Sequence, residues 1–595
     1  MPASLAALLR ERVRLTPERE AYRQYDPTAE RWVSHTWADI GGGVTAWRRA
    51  LHAEGLAPGE RVAILVGNSV EHVCMDQAAL ALGLVPVPMH VIDNPDSLAY
   101  VLGDSGAALL CVDTAERWAA LAPLQARFPQ LGRVVHLSGP SAGGIACSLS
   151  EWLQRGARAE APEHAHDHDE ADGLAAIVYT SGTTGRPKGV MLSHANVLAN
   201  VRAVLAALPV FEHDVFLSFL PLSHTLERTA GYYLPMAAGA SVVYARSVSR
   251  LMEDLIAVRP TVLISVPRIY ERAHVALLAA IEGSAIRRRL FDWTVRLGWR
   301  HFERTAASWR ESVAPAAWPE RTLHRALDAR VGAPVRARFG GRVRAAVTGG
   351  AAIPPAVAHT FLALGVPLLQ GYGMTESSPV VACNLPEDND PASVGAPLPG
   401  VEVMLGEREE LLVRGPNLMR GYWHRPEETE RILDREGWLH TGDQARLAHG
   451  RVYLSGRIKD IIVTSTGEKI APVDLESAIT ADGLFEQAMV IGEARPYLAA
   501  LVVLERAAWE RQAERLGLEP RDPSSLTAEP AQSWALEHIG AAVRAWPAYA
   551  RPRAVWLSLE PWTVSAGLLT PTLKLKRPAI EARLAAEIAA LYRGH

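Results

Sequence analysis

Between Tyr179 and Val190 the chain reads YTSGTTGRPKGV: three glycines, three threonines, one serine and one lysine in twelve residues. Hydroxyl donors, bare backbone and one cation in so short a stretch suit a phosphate. A Walker A loop is excluded, because Gly182 and Gly185 stand too close together and Lys188 is followed by Gly189, where Ser or Thr is needed. The flanking segments LAAIVYT and GVMLSH both read as strands, so the loop joins two strands. Its glycines free the backbone to turn consecutive N–H groups inward as an anion nest. Ser181, Thr183 and Thr184 add donors and Lys188 adds a point charge.

Four further segments carry chemistry. AAVTGGAAIP ends a strand in Gly349, Gly350 and Ala351, a shelf almost free of side chains on which a flat ring can lie. LLQGYGMTESSP, Leu368 to Pro379, follows a strand and contains G-Y-G, but Glu376 stands where a dinucleotide fingerprint has its third glycine, which excludes NAD. A lone loop glutamate is ordinarily a surface charge; beside phosphates it suits Mg²⁺, which takes one or two carboxylates with phosphate oxygens and water. GWLHTGDQARL sets Asp443 in a tight turn before a strand, able to accept from two hydroxyls at once or to form an Asx-turn. LLTPTLKLKRPAI offers two lysines, Lys574 and Lys576. MLSHAN and PLSHTLER are not nucleophile elbows, so no serine nucleophile is expected. The alternating His164, His166 and His168 lie in the acidic linker EAPEHAHDHDEADG and read as a solvated loop, since no second ligand cluster closes a coordination sphere.

These residues need a large scaffold, and 595 residues supply one. Strand-like RVAILVGNS and GAALLCVD alternate with apolar helical stretches such as HVCMDQAALALGLV, which predicts α/β layers around a largely parallel sheet. Sixty-one basic residues against 65 acidic ones give no global field for nucleic acid. The four cysteines, Cys74, Cys111, Cys147 and Cys383, form no CxxC pair, which fits a reducing compartment. The first twenty residues hold no apolar core of signal-peptide length, and no apolar stretch reaches the roughly 18 residues of a spanning helix. A cytoplasmic globular protein is expected, with any membrane contact peripheral, at the inner face.

In their order along the chain, these segments resemble the AMP-forming adenylate synthetases: acyl-CoA synthetases, luciferases and peptide-synthetase adenylation domains. The resemblance spans most of the chain and implies an α/β fold. A large N-terminal domain of layered α/β sheets, residues 1–458, would hold ATP and the acyl pocket, and a small mobile α+β domain would occupy 459–595. It implies that the loop through Thr180, Ser181, Gly182, Thr183, Thr184, Gly185 and Lys188 binds the ATP phosphates, and that Gly350, Ala351, Tyr372 and Gly373 border adenine. Thr375 would touch the α-phosphate, Glu376 and Thr180 would hold Mg²⁺, and Asp443 and Arg457 would reach the ribose. Lys459 matches the family's hinge between domains, and Gly467 in TSTGEKI matches a loop brought in for the thiol step. Lys574 matches the catalytic lysine of the terminal motif, with Lys576 the alternative; Leu573 replaces the usual glycine, a form shared by long-chain fatty acyl-CoA synthetases.

The reaction this implies is attack of a fatty carboxylate on ATP, giving acyl-adenylate and pyrophosphate, then displacement of AMP by coenzyme A. A fatty acyl-AMP or acyl-carrier-protein ligase, or a ligase for shorter or other acids, stands as the alternative. FLPLSHTLERTAGYYLPMAAGA, apolar with the single imidazole of His224, matches the segment that lines the acyl pocket; a buried core histidine is the other reading. Residues 283–344 resemble the long-chain branch and put six arginines between Arg287 and Arg304 among apolar residues. Such a helix can pack its apolar stripe on the core, the favoured reading, or lie on an anionic membrane.

Overall fold

The computed structural model describes residues 2–140, 143–159, 169–180, 186–306, 317–465, 468–481, 483–570 and 573–593. Within them, short apolar strands alternate with helices as the sequence predicts. Val85–Pro88, Arg61–Leu65, Leu109–Thr114, Arg133–Ser138 and Ala146–Ser148 form one all-parallel sheet. A larger sheet runs parallel through Ser241–Tyr244, Val215–Ser218, Val262–Ser265, Ala345–Thr348 and Leu368–Gly373. Helices cover these strands, so their sequences are nearly continuous apolar runs with little alternation. Leu368–Gly373, expected to follow a strand, is itself the strand, and its C-terminal end carries Thr375 and Glu376 on a single 3₁₀ turn.

Leu174–Thr180 and Lys188–Ser193 pair as an antiparallel hairpin, with Thr180 opposite Lys188 in register. Gly421–Tyr422 adds a third strand to that hairpin. Asp443 does not occupy a tight turn. It lies inside the strand Leu439–Ala448, opposite Arg457 on Arg451–Arg457. The preceding Gly442 has φ +71° and the pairing shifts register just after it, so the strand is kinked where its sequence looks like a turn.

The C-terminal residues build their own core. Phe485–Ile491, Ala499–Leu504 and Ala554–Ser558 form a three-stranded sheet. On the middle strand Ala500, Val502 and Leu504 point to one apolar cluster, while Ala499, Leu501 and Val503 point to another. Period-two alternation thus buries both faces, and every member of the two clusters lies at or beyond Ile462.

The segment that follows His224 is tied down by a buried polar knot. Arg228 pairs with Asp76 on helix Val70–Ala81, and the hydroxyls of Tyr232 and Tyr233 donate to Asp76 Oδ2 at 3.1 and 3.0 Å. A charge this deep is tolerated only because every partner is fixed.

Helix Ala285–Thr305 buries Phe291, Thr294, Gly298 and Phe302, one face at helical spacing. That face packs on helix Pro355–Ala363 so closely that a Cβ on Gly298 would meet the Ala363 carbonyl oxygen at 1.8 Å. The favoured sequence reading, packing on the core, describes this face. Gly298→Ala is expected to destabilise the protein by about 1–3 kcal/mol through overpacking, read as a lower denaturant midpoint. Arg296→Ala on the opposite face should stay within about 0.5 kcal/mol.

Candidate active site

Tyr372, Glu376, Asp443 and Arg457 come within hydrogen-bonding or electrostatic reach of one another. Tyr372 donates its hydroxyl to Asp443 Oδ2 at 2.6 Å, and Arg457 Nε lies 2.9 Å from Asp443 Oδ1. Burial, then the Asp443 charge, raises the Tyr372 phenol far above its usual range, so it remains a donor. Glu376 is buried and accepts from the Tyr422 hydroxyl at 2.8 Å through Oε1. Lys188 Nζ lies 5.0 Å from the centre of the same Tyr422 ring and forms an ion pair with Glu428. Gly350 has φ +82° and open space where a side chain would stand, and Ala351 beside it is exposed, so the shelf is present. Gly373 is different: a Cβ there would meet the Pro379 carbonyl at 2.0 Å, so that glycine serves the approach of two backbone segments.

Lys574 comes within electrostatic reach of this group from a turn of the C-terminal residues. Its turn is held by Thr570, whose N–H donates to the Lys574 carbonyl at 2.8 Å and whose Oγ1 accepts from the Lys574 N–H at 3.0 Å. Arg577, three residues on, makes two hydrogen bonds to Glu476 at 2.6 and 2.7 Å and anchors the segment to helix Pro472–Thr480. Leu573, where the family has glycine, holds φ +61°; a side chain in this left-handed region costs about 1–2 kcal/mol. Lys574 is an exposed residue, yet the protein around its ammonium lowers its pKa, chiefly by desolvation and then by Arg457. Asp443, Glu376 and Asp460 act in the opposite sense.

His224 stands on the far side, within the electrostatic reach of Lys574 and His90. Burial pushes its pKa down to about 3, so the imidazole is neutral. The Leu226 N–H donates to His224 Nδ1 at 3.3 Å, which leaves the proton on Nε2 as a neutral donor. His90 and the Ser223 hydroxyl share a 2.7 Å hydrogen bond behind it. Lys459 is exposed in the turn after Arg457. Lys576 lines a separate small cavity with His90, Asp93, Tyr179 and Pro187, away from Asp443 and Glu376. Ser181, Gly182, Thr183, Thr184, Gly185 and Gly467, with His164, His166 and His168, lie outside the described residues. Tyr422, Glu428 and His90 escaped the sequence reading. The GYWHRPEET stretch holding the first two reads only as a polar loop, and nothing local ties it to Glu376 or Lys188.

A single buried carboxylate, Glu376, cannot cage a metal by itself, and among the described residues no three His, Cys, Asp or Glu side chains cluster as a metal site. That donor set fits a cation completed by phosphate oxygens and water, the ordinary manner of Mg²⁺.

The AMP-binding enzyme family matches residues 9–423, and the AMP-binding enzyme C-terminal domain matches residues 459–595. The chain belongs to the AMP-binding enzyme family. It is 30% identical to a long-chain-fatty-acid–CoA ligase of Mycobacterium bovis, over 99% of this chain and 97% of that protein. It is 28% identical to a chloroplastic long-chain-fatty-acid–[acyl-carrier-protein] ligase of Arabidopsis thaliana, over 95% of this chain and 84% of that one. The adenylation domain of a carboxylate reductase from Mycobacterium chelonae shares the fold, with a TM-score of 0.76 at 23% identity, over 99% of this chain and 91% of that one. The protein is an AMP-forming acid–thiol ligase of this family.

The lowered pKa of Lys574 carries a pH signature. A lysine whose pKa falls in the folded protein loses its charge at lower pH than a free one. Acid-dependent pyrophosphate release should therefore decline on the alkaline side before free lysine titrates. Lys574→Arg, whose charge persists, should move that limb to higher pH at reduced rate; an unmoved limb would remove Lys574 from the rate-limiting chemistry.

Proposed function

We propose that the protein is a long-chain fatty acid–CoA ligase that makes the acyl-adenylate first and the thioester second. The observation that carries this reading is the convergence of Lys574, from a C-terminal turn, with Glu376, Asp443 and Arg457 in a cleft bordered by His224. Its long-chain part is supported by the relatives' substrates and by the apolar segment around His224.

In this reading the ribose hydroxyls bind Asp443 and Arg457, and adenine lies on the Gly350–Ala351 shelf against Tyr372. Each carboxylate oxygen has more than one acceptor site, so Asp443 can keep Tyr372 while it takes a ribose hydroxyl. Lys188 exchanges Glu428 for a phosphate oxygen. Glu376 and Thr180 hold Mg²⁺, which supplies positive charge to the phosphate oxygens. His224 Nε2–H orients the fatty carboxylate without adding charge, and Lys574 offsets the repulsion between that carboxylate and the α-phosphate, against which Thr375 lies. The carboxylate oxygen forms the new bond to phosphorus as pyrophosphate leaves with the electron pair. No covalent enzyme intermediate is needed, since positioning and charge neutralisation lower the barrier. For the second step residues 459–595 turn about Lys459 as a mobile domain against residues 1–458, withdrawing Lys574 and admitting coenzyme A past Gly467.

A second reading, transfer to an acyl carrier protein, is favoured by the likeness to the chloroplastic ligase. Pyrophosphate release screened from acetate to oleate is expected to favour acids of about ten carbons or more, since each buried CH₂ contributes about 0.8 kcal/mol. Faster turnover of acetate would overturn the long-chain reading. With free coenzyme A and acyl carrier protein offered in parallel, coenzyme A should be the acceptor.

The two half-reactions should separate genetically. Lys574→Ala should lose acyl-adenylate formation by orders of magnitude, yet convert supplied acyl-adenylate and coenzyme A to thioester. Lys459→Pro, which fixes φ near −65°, should make the adenylate and stall. Equal loss of both half-reactions in both folded variants would remove the two-conformation mechanism.

A further inference from the structure

Glu227 opens the π-helical segment Glu227–Tyr233 and is 1% exposed, yet neither oxygen of its carboxyl has a hydrogen-bond partner among the described residues. Its neighbour Arg228 turns away from it and pairs with Asp76. Burial pushes the Glu227 pKa up to about 8, and the Ser218 hydroxyl, which already accepts from Asn68 Nδ2 at 2.9 Å, opposes that rise only in part. At neutral pH the group is a carboxylic acid, with one O–H to donate and lone pairs to accept. Gly231 makes room for it: a Cβ there would stand 2.3 Å from Glu227 Oε1 and 2.9 Å from Oε2. A π turn that carries a buried acid over a glycine is the kind of local irregularity found at functional sites.

Its place in the fold is informative. Strands Val215–Ser218 and Ser241–Tyr244 run parallel and end in register, with Ser218 beside Tyr244. The Ser218 hydroxyl acts on Glu227, and Tyr244 lies within its electrostatic reach, so the acid sits at the carboxyl ends of these two strands. The Tyr244 hydroxyl is buried there and also lacks a partner. The same edge of the sheet carries Thr348 and the Gly349–Gly350 shelf, two strands from Ser218 and three from Tyr244. At about 4.8 Å per strand, those two residues stand about 10 and 14 Å from the shelf. Leu226 spans part of the interval, with Cδ2 3.6 Å from the point a Cβ on Gly349 would occupy. Ligands of open α/β sheets bind outside this edge. His224, at the start of the segment, is within electrostatic reach of Lys574. A chain whose carboxylate lies at His224, and which runs along the edge away from the shelf, meets Glu227 part-way along its length. Methylenes against that carboxyl leave both of its oxygens unsatisfied, whereas an oxygen on the chain satisfies them.

We propose that Glu227 is a specificity-determining residue whose carboxyl hydrogen-bonds a hydroxyl carried part-way along the chain of the substrate acid, so that the protein takes hydroxylated fatty acids. The inference rests on the fatty-acid reading given above and narrows its substrate class. Glu227 makes and breaks no bond in the reaction; it decides where along the chain a polar group can lie.

Pyrophosphate release by the full chain, with decanoic acid and with its monohydroxy isomers bearing the hydroxyl at successive carbons, tests this. One isomer, or two adjacent ones, should exceed both the unsubstituted acid and the remaining isomers by at least about tenfold in kcat/KM. Glu227→Gln, which keeps a donor and an acceptor in the same shape, should retain that preference. Glu227→Leu should lose it and favour the unsubstituted acid. The ratios are taken between acids on one preparation, so a smaller folded fraction cancels, and a glutamate with a purely structural role would leave them unmoved. The proposal is overturned if the parent protein treats decanoic acid and all positions of the hydroxyl alike, or if Glu227→Leu keeps the preference. Turnover of decanoic acid without any positional preference strikes this inference alone. Failure of every fatty acid, while another carboxylate releases pyrophosphate, strikes the fatty-acid reading and this inference with it.

Discussion

Charge balance in the cleft is the constraint that the surrounding structure serves. Glu376 and Asp443 bring two carboxylates into a partly desolvated space, and Arg457 and Lys574 answer them from different parts of the chain. At an effective dielectric of about 20, two unit charges about 4 Å apart interact by about 4 kcal/mol. Neither sign can therefore be added or removed without consequence. In the proposed reaction, a nucleotide and a carboxylate entering together bring more negative charge than Arg457 and Lys188 can answer, and Lys574 closes the difference.

Stiff supports lie behind each of these groups. Asp443 and Arg457 face each other across a strand pair, so their separation is fixed by sheet register. Lys574 is clamped through Thr570 on one side and the Arg577–Glu476 pair on the other. The His224 segment is fastened through Arg228 to Asp76, deep in the first sheet's helical layer. Lys188 is the exception. It leans on Tyr422 and Glu428 at the edge of the hairpin, in contacts that a phosphate can replace.

Helix Ala285–Thr305 shows how one element serves two environments. Phe291, Gly298 and Phe302 give it a packed face, and Gly298 lets the neighbouring backbone come into contact. Its other face carries Ile286, Trp293 and unpaired arginines. The helix is therefore too apolar for a purely solvated surface and too cationic for a core. Its sequence admitted either packing or a membrane contact, and the structure divides it into two faces, of which the first is packed on helix Pro355–Ala363.

Much of this protein was legible in its residues taken alone. The strand–loop–strand form of Tyr179–Val190, the alternating α/β layers, the glycine shelf and the rejection of a dinucleotide site follow from local sterics and hydrophobic period. Those act between residues near in sequence. The resemblance supplied the order of the motifs and the lysine near the C-terminus. Tertiary structure alone decided which groups compensate one another. Tyr422 reaches Glu376 across 46 residues, Tyr372 reaches Asp443 across 71, and His90 reaches Ser223 across 133. No local pattern encodes such pairs, because a tyrosine or histidine in a loop has the same sequence signature whether its partner is water or a buried carboxylate. The kink at Gly442 was misread as a turn for a related reason: a glycine with positive φ marks a bend, but only the neighbouring strands determine whether pairing continues through it.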